Sequence, residues 1–321
     1  EALRFANEMV ARARGSTDDV AKLVGYRLLG TSQMNLGRSG EALVNLERAV
    51  QLYEPARHRT FAGLFGQEPG VSALVYKAIC LGLRGALDDA VRTAEGAVVL
   101  ARESKHPLTI AYTLGHANML WILLADLPRA KATADENLAY SDANGIKTWQ
   151  IYTRGWQAVA DALDGRHLEA LAALGPILLR CAEAETGLFV PVLLSGEARS
   201  LLALGRHADC ATRIGEAKER MAASGERWNE SDILRLDSGL QLAKGDTAAA
   251  ERSYRMAIEV AARQEAKLLE LRAATSLARL WADQGERQRA LDLLAPVHGW
   301  FTQGFDAADV VAARQLLAEL A

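Results

Sequence analysis

Three cysteines in 321 residues, Cys80, Cys181 and Cys210, are widely separated and odd in number. Without a CxxC pair they supply neither zinc-ligand spacing nor a disulfide framework, and a reducing, cytoplasmic compartment suits them. No apolar run approaches the length of about 18 residues that a membrane helix needs. A basic excess is missing too: 37 lysines and arginines face 40 aspartates and glutamates, for a net charge of −3. A chain that grips phosphate backbones carries the opposite balance, so nucleic acid is not expected as a direct partner. There is no signal peptide, and the chain opens on Glu1 rather than Met, as an excised piece of a longer protein would.

Catalytic motifs are absent as well. No GxxxxGK[ST], HExxH or GxSxG occurs, and Gly63, Gly66 and Gly70 neither follow a strand nor form a dinucleotide fingerprint. No catalytic residue, metal ligand or cofactor is assigned. Asp88 and Asp89 fall at a helix start, where carboxylates face the helix dipole favourably. His167 and His207 occupy equivalent turn positions in adjacent repeats. Packed helices lie about 10 Å apart, too far for one zinc with bonds of about 2 Å, so both read as solvated turn residues.

What the sequence does have is a ruler of glycines. Gly85, Gly165, Gly205, Gly245 and Gly285 lie at multiples of 40 from one another, with Ala125 in the vacant slot. Five residues after each comes a small residue: Ala90, Ala130, Ala170, Cys210, Ala250 and Ala290. Gly37 and Ala42 repeat the pair upstream, offset by 48. Seven residues before the turn stands another small set, Gly30, Ala78, Ala158, Ala198, Ser238 and Ala278, broken by Asn118. Small residues on both helices of a hairpin let two backbones cross closely. Leu46, Leu174, Ile214, Tyr254 and Leu294 are placed to seal each pair against the next. The turn glycines end the first helices, and Ser39, Asp246 and Thr247 can cap the second ones. This spacing resembles the tetratricopeptide pattern, whose usual period is about 34. The fold class expected is therefore all-α, a tetratricopeptide-like solenoid of about seven helix pairs in a right-handed superhelix with a 40-residue period.

The whole chain, 1–321, reads as one repeat domain. Residues 1–14 form the orphan second helix of a truncated repeat, 17–54 the first full repeat and 55–70 (PARHRTFAGLFGQEPG) a long connection. Six repeats follow, at 71–104, 107–143, 147–185, 187–224, 227–264 and 267–296, and residues 306–320 form a capping helix. Residues 297–305 (VHGWFTQGF) interrupt the rhythm before that cap. A lone second helix leaves its apolar face bare, so more chain is expected ahead of Glu1.

First helices line the concave wall of such superhelices. With the turn glycine counted as position 15, Arg27 and Arg235 take position 5 and Arg199 and Arg279 take position 9, the two expected to face the groove. Guanidinium forks suit carboxylates and phosphates, hence an acidic peptide or a small anion. The competing reading is internal ion pairing, such as Arg199 with Glu197 or Asp237. His116 lies near Tyr112 and one repeat before Tyr152 and Trp156, which makes either an aromatic ligand floor or aromatic packing between helices.

Three segments go beyond a generic repeat: residues 57–71 (RHRTFAGLFGQEPGV), 270–285 (ELRAATSLARLWADQG) and 293–306 (LLAPVHGWFTQGFD). They resemble the carboxy-terminal repeat region of bacterial multidomain adenylate or guanylate cyclases. In that family a class III cyclase domain precedes a predicted ATPase of the signal-transduction type (AAA/STAND), and the array comes last. Similar arrays follow such ATPases in transcriptional regulators. The likeness runs from about residue 20 to the end and is most specific in the tail. It implies a non-catalytic sensor and protein-interaction arm, with a peptide, a protein or a small effector in its groove and upstream catalytic domains attached. Neither membrane nor nucleic acid is implied, and no cyclase or ATPase active-site residue lies in this chain. The alternatives are a ligand-free oligomerisation scaffold and the repeat arm of an ATPase-type transcriptional regulator. If each pair touches only its neighbours, small rotations add along the stack and a signal would travel as a change of superhelical pitch.

Overall fold

Helices and turns account for the chain, with no strand among the described residues, which in this computed structural model are 1–13, 15, 18–183 and 187–321. The expected boundaries at 14, 17 and 185 lie outside the described residues. Helix α1 (Ala2–Ala13) precedes the first pair, α2 (Asp19–Asn35) and α3 (Ser39–Gln51). Short turns at α4 (Pro55–His58), a 3-10 turn (Arg59–Phe61) and α5 (Ala62–Phe65) lead to α6 (Pro69–Leu83) and α7 (Leu87–Ser104). The next pairs are α8 (Pro107–Leu123) with α9 (Leu127–Ala143), and α10 (Lys147–Leu163) with α11 (His167–Glu183). Then come α12 (Val190–Ala203) with α13 (His207–Ser224), and α14 (Glu230–Ala243) with α15 (Thr247–Arg263). Finally α16 (Lys267–Asp283) pairs with α17 (Arg287–His298), and α18 (Ala308–Leu320) packs on both.

One turn chemistry closes the hairpins. The N–H of Gly245 donates to Leu242 and that of Asp246 to Gln241, the paired bonds that end a helix on a left-handed residue. Asp246 then caps α15 by accepting from the Ala249 N–H at 2.8 Å. Ala125 takes the glycine slot with φ 54° and makes the same bonds, to Ile122 and, through Asp126, to Trp121. A left-handed alanine costs on the order of 1 kcal/mol, which the closed turn offsets. The two small positions meet as their size requires. A Cβ on Gly30 would lie 2.6 Å from Leu46 Cγ and 3.0 Å from the Ala42 carbonyl. Ala42, Ala90, Ala170, Cys210, Ala250 and Ala290 are all fully buried.

The expectation that each pair touches only its neighbours does not hold. The stack coils until its last third rests on the hairpin turns of the first three pairs. At the first turn, the Arg227 N–H donates to the Asn35 carbonyl at 2.7 Å. Ser39, expected as a cap, instead donates its hydroxyl to the Gln264 carbonyl at 2.5 Å, and α3 starts without a side-chain cap. At the second turn Arg84 pairs with Glu265, and Phe301 covers Gly85, where a Cβ would come within 2.9 Å of the ring. Gln303 and Asp89 exchange two hydrogen bonds at 3.0 Å, and the Gly304 N–H donates to Asp88 at 3.1 Å. The third turn offers the Leu123 carbonyl to Arg272 at 2.5 Å. The rhythm-breaking tail at 297–305 is thus a clasp, and the Asp88–Asp89 pair at the start of α7 is its receiver.

Candidate binding cavity inside the superhelical turn

A 40-residue period brings residues of one position into contact down the inner wall. Ser72 donates to the Tyr112 hydroxyl at 3.0 Å, and Arg272 meets Asp232 at 3.0 Å, each pair 40 residues apart. His116 lies 2.9 Å from the hydroxyl of Tyr76, again 40 residues before it. The Tyr112 carbonyl, 2.8 Å from His116 Nδ1, can only accept, so Nδ1 carries the proton and Nε2 accepts from Tyr76. Burial lowers the imidazole pKa to about 4 against the upward pull of that carbonyl bond, and the ring is neutral. Trp149 and Phe189 meet His116 edge-on, and Phe189 also packs on Tyr152 and Trp156. The close seat of Trp149 depends on Gly115, where a Cβ would fall 2.2 Å from the indole.

Beyond Trp156 the wall opens into a cavity of about 240 Å³. Met119, Leu123, Trp156, Val159, Val192 and Trp228 are among its apolar lining residues. Its polar lining includes Arg199, Arg235, Arg272, Asp232, Asp309, Asn229 and Ser195. Arg272 grips Asp309 at 2.6 Å and Asp232 at 3.0 Å, while Arg235 takes the other Asp232 oxygen at 3.0 Å. Burial would raise the Asp232 pKa, but Arg272, Arg235 and Arg199 outweigh it and hold the carboxyl well below the usual range. Likewise burial would lower Arg272, and Asp309 and Asp232 more than reverse it. Arg199 is different. Among the described residues it has no hydrogen bond or ion pair, and burial followed by the Arg235 charge pulls it down to about 10. Asn229, 2% exposed, leaves both atoms of its amide without a partner among the described residues.

The predicted residues divide accordingly. Arg199, Arg235 and Trp156 line the cavity. Tyr112, His116 and Tyr152 belong to the packed aromatic wall beside it. Arg27 is buried near Tyr76 and Tyr112, whose hydroxyls feel its charge, but it is not part of the lining. Arg279 lies outside, exposed and paired with Glu319 of the cap. The ion pairs expected for Arg199 go elsewhere: Glu197 pairs with Arg213 at 2.8 Å and Asp237 with Lys218 at 2.6 Å. Arg272, Asp232 and Asp309 were missed. Asp232 and Arg272 share position 2 of successive repeats, so an acid and a base 40 residues apart was the available signal.

Trp228 is held in place by Glu226, which accepts from its indole N–H at 2.7 Å and from the Phe189 N–H at 3.1 Å. Burial raises the Glu226 pKa from 4.5 to about 7, against the lowering effect of those two bonds. Below pH 4.5 folded and unfolded chains both keep the proton and its contribution is complete; between 4.5 and 7 only the unfolded chain releases it, so stability falls as pH rises. His116 works oppositely, losing stability as pH falls from 6.5 toward 4. The two contributions therefore oppose each other between pH 4.5 and 6.5. Glu226→Gln is expected to expose the histidine term. Thermal unfolding followed from pH 7 to 4.5 should show the variant losing more stability on acidification than the wild type. Parallel curves for the two proteins would rule this out.

No protein-family model matches the chain, and no curated protein matches it. Among solved structures it is similar to yeast Tom70, at 12% identity and a TM-score of 0.46, over 99% of this chain and 58% of that one. It is also similar to a tetratricopeptide repeat protein from Parabacteroides merdae, at 16% identity and a TM-score of 0.45, over 84% of this chain and 91% of that one. The chain thus spans about 58% of the length of the Tom70 structure.

Proposed function

We propose that this chain is a non-catalytic sensor and interaction module that takes a small effector inside its superhelical turn. In this reading it is the regulatory arm of a multidomain signalling cyclase or ATPase, and its outer surface meets the attached domains. One observation carries it: the inner wall of first helices keeps a cavity of about 240 Å³ whose lining includes Arg199, an arginine without a hydrogen bond or ion pair among the described residues. Benzene fills a cavity of about 150 Å³, which scales to about ten non-hydrogen atoms here. A peptide strand needs nearly that many for each residue. The effector is therefore a small molecule, and a peptide or protein belongs on the outside.

A thermal-shift screen of small metabolites tests this reading. A ligand at about 100 times its Kd adds about 2.7 kcal/mol to the wild-type chain. Ser195→Trp, which fills the cavity from α12, is expected to abolish that shift while retaining the helical circular-dichroism spectrum. Ligands that stabilise both proteins equally would place binding elsewhere and end the proposal. In the parent protein, removal of residues 1–321 is expected to abolish the effector response.

A further inference from the structure

The cavity has a charge surplus that its own residues leave unanswered. Three guanidiniums, from Arg199, Arg235 and Arg272, face two carboxylates, from Asp232 and Asp309. Both aspartates are consumed by Arg235 and Arg272. Among the described residues Arg199 is left with a fork of donors and no acceptor. Asn229 is another lining residue, and both polar atoms of its amide are buried without a bond among the described residues. A polar group left without a partner in a desolvated lining costs stability, and a ligand that bonds it recovers that cost.

We infer that the cavity binds a monocarboxylate with an apolar body, about ten non-hydrogen atoms in all, its carboxylate on Arg199 and its body against Met119, Val159 and Trp228. This rests on the reading of the cavity as an effector site and adds the class of effector. The head carries one negative charge because the surplus is one; a phosphate dianion would leave a net negative charge beside Asp232 and Asp309. A carboxylate matches the planar fork of Arg199 with two parallel bonds. The body is apolar because the rest of the lining offers hydrocarbon and indole.

Octanoate, with ten non-hydrogen atoms, is the probe. Calorimetric titration of octanoate into the whole chain is expected to show one site per chain. Arg199→Met should weaken it by at least about thirtyfold, since removal of one partner of a desolvated charge pair costs about 2 kcal/mol or more. Arg199→Lys keeps the charge without the fork and should recover part of the loss, which separates recognition from a failure to fold. Inorganic phosphate, a head without a body, is expected to give no heat. Equal affinity for octanoate and 1-octanol, with no response to Arg199→Met, would overturn the carboxylate assignment and leave the effector cavity standing. Absence of any octanoate binding overturns the assignment too. If Ser195→Trp also leaves every ligand unaffected, the cavity reading falls with it.

Discussion

Arg272→Met is expected to destabilise the chain by about 3–5 kcal/mol, the usual effect of removing one partner from a buried ion cluster. The side chain is 14% exposed and ties three helices together: Asp232 on α14, Asp309 on α18 and its own α16. It also reaches the Leu123 carbonyl at the end of α8, across the superhelical turn. Without it, two aspartates are left inside the molecule with Arg235 and Arg199 as the remaining cations in the cavity. Arg199→Met provides the contrast, because it breaks no bond and removes a partly desolvated charge, so its stability should equal or exceed that of the wild type. Asp309→Asn placed on the Arg272→Met background should restore part of the loss, as expected for coupled residues. Guanidinium denaturation of the four proteins reads all of this. A loss below about 1 kcal/mol for Arg272→Met would show that the cluster does not hold the turn closed.

Phe301→Ala should cost about 3–5 kcal/mol as well, by loss of a buried aromatic ring. It has a second consequence that ordinary core truncation lacks. Phe301 is 5% exposed because it sits on Gly85, and its neighbours Gln303 and Gly304 hold Asp89 and Asp88. Loss of the ring releases the clasp from the second hairpin turn while every helix pair keeps its own packing. Hydrogen exchange at residues 84–89 and 299–307 should accelerate together. The radius of gyration from solution scattering should rise at constant helicity. Faster exchange confined to residues 299–307 would mean that the ring stabilises its own loop and nothing more.

The helix pairs were legible in the sequence because their cause is local and repeated. A small residue must sit where two backbones cross, a left-handed residue must follow each first helix, and both recur at a fixed gauge. Even the departures were visible, with Ala125 in a glycine slot and Asn118 in a small slot, the latter fully buried with its amide unbonded. The closure of the turn was not legible. Its bonds join residues 149 to 225 apart, as from Arg272 to Leu123 and from Ser39 to Gln264. Whether such residues meet depends on a small rotation per pair summed over several pairs, which no local pattern encodes. The site was half legible for the same reason. Position 9 places Arg199 in the cavity and Arg279 against Glu319 of α18, so one slot serves two environments once the cap intervenes. The tail at 297–305 stood out as a break in rhythm, and what it breaks the rhythm for is the grip on Asp88 and Asp89.

The clasp also bears on how the chain reaches its native state during translation. Open helical arrays can nucleate anywhere and grow pair by pair. Here the first three pairs leave the ribosome with the Asn35 carbonyl and the Asp88 and Asp89 carboxylates still waiting for partners synthesised far downstream. Contacts of such sequence separation slow folding and arrive last. Premature termination before residue 299 would therefore leave the early pairs without the segment that covers them. The molecule trades the independence of its modules for an all-or-none ending.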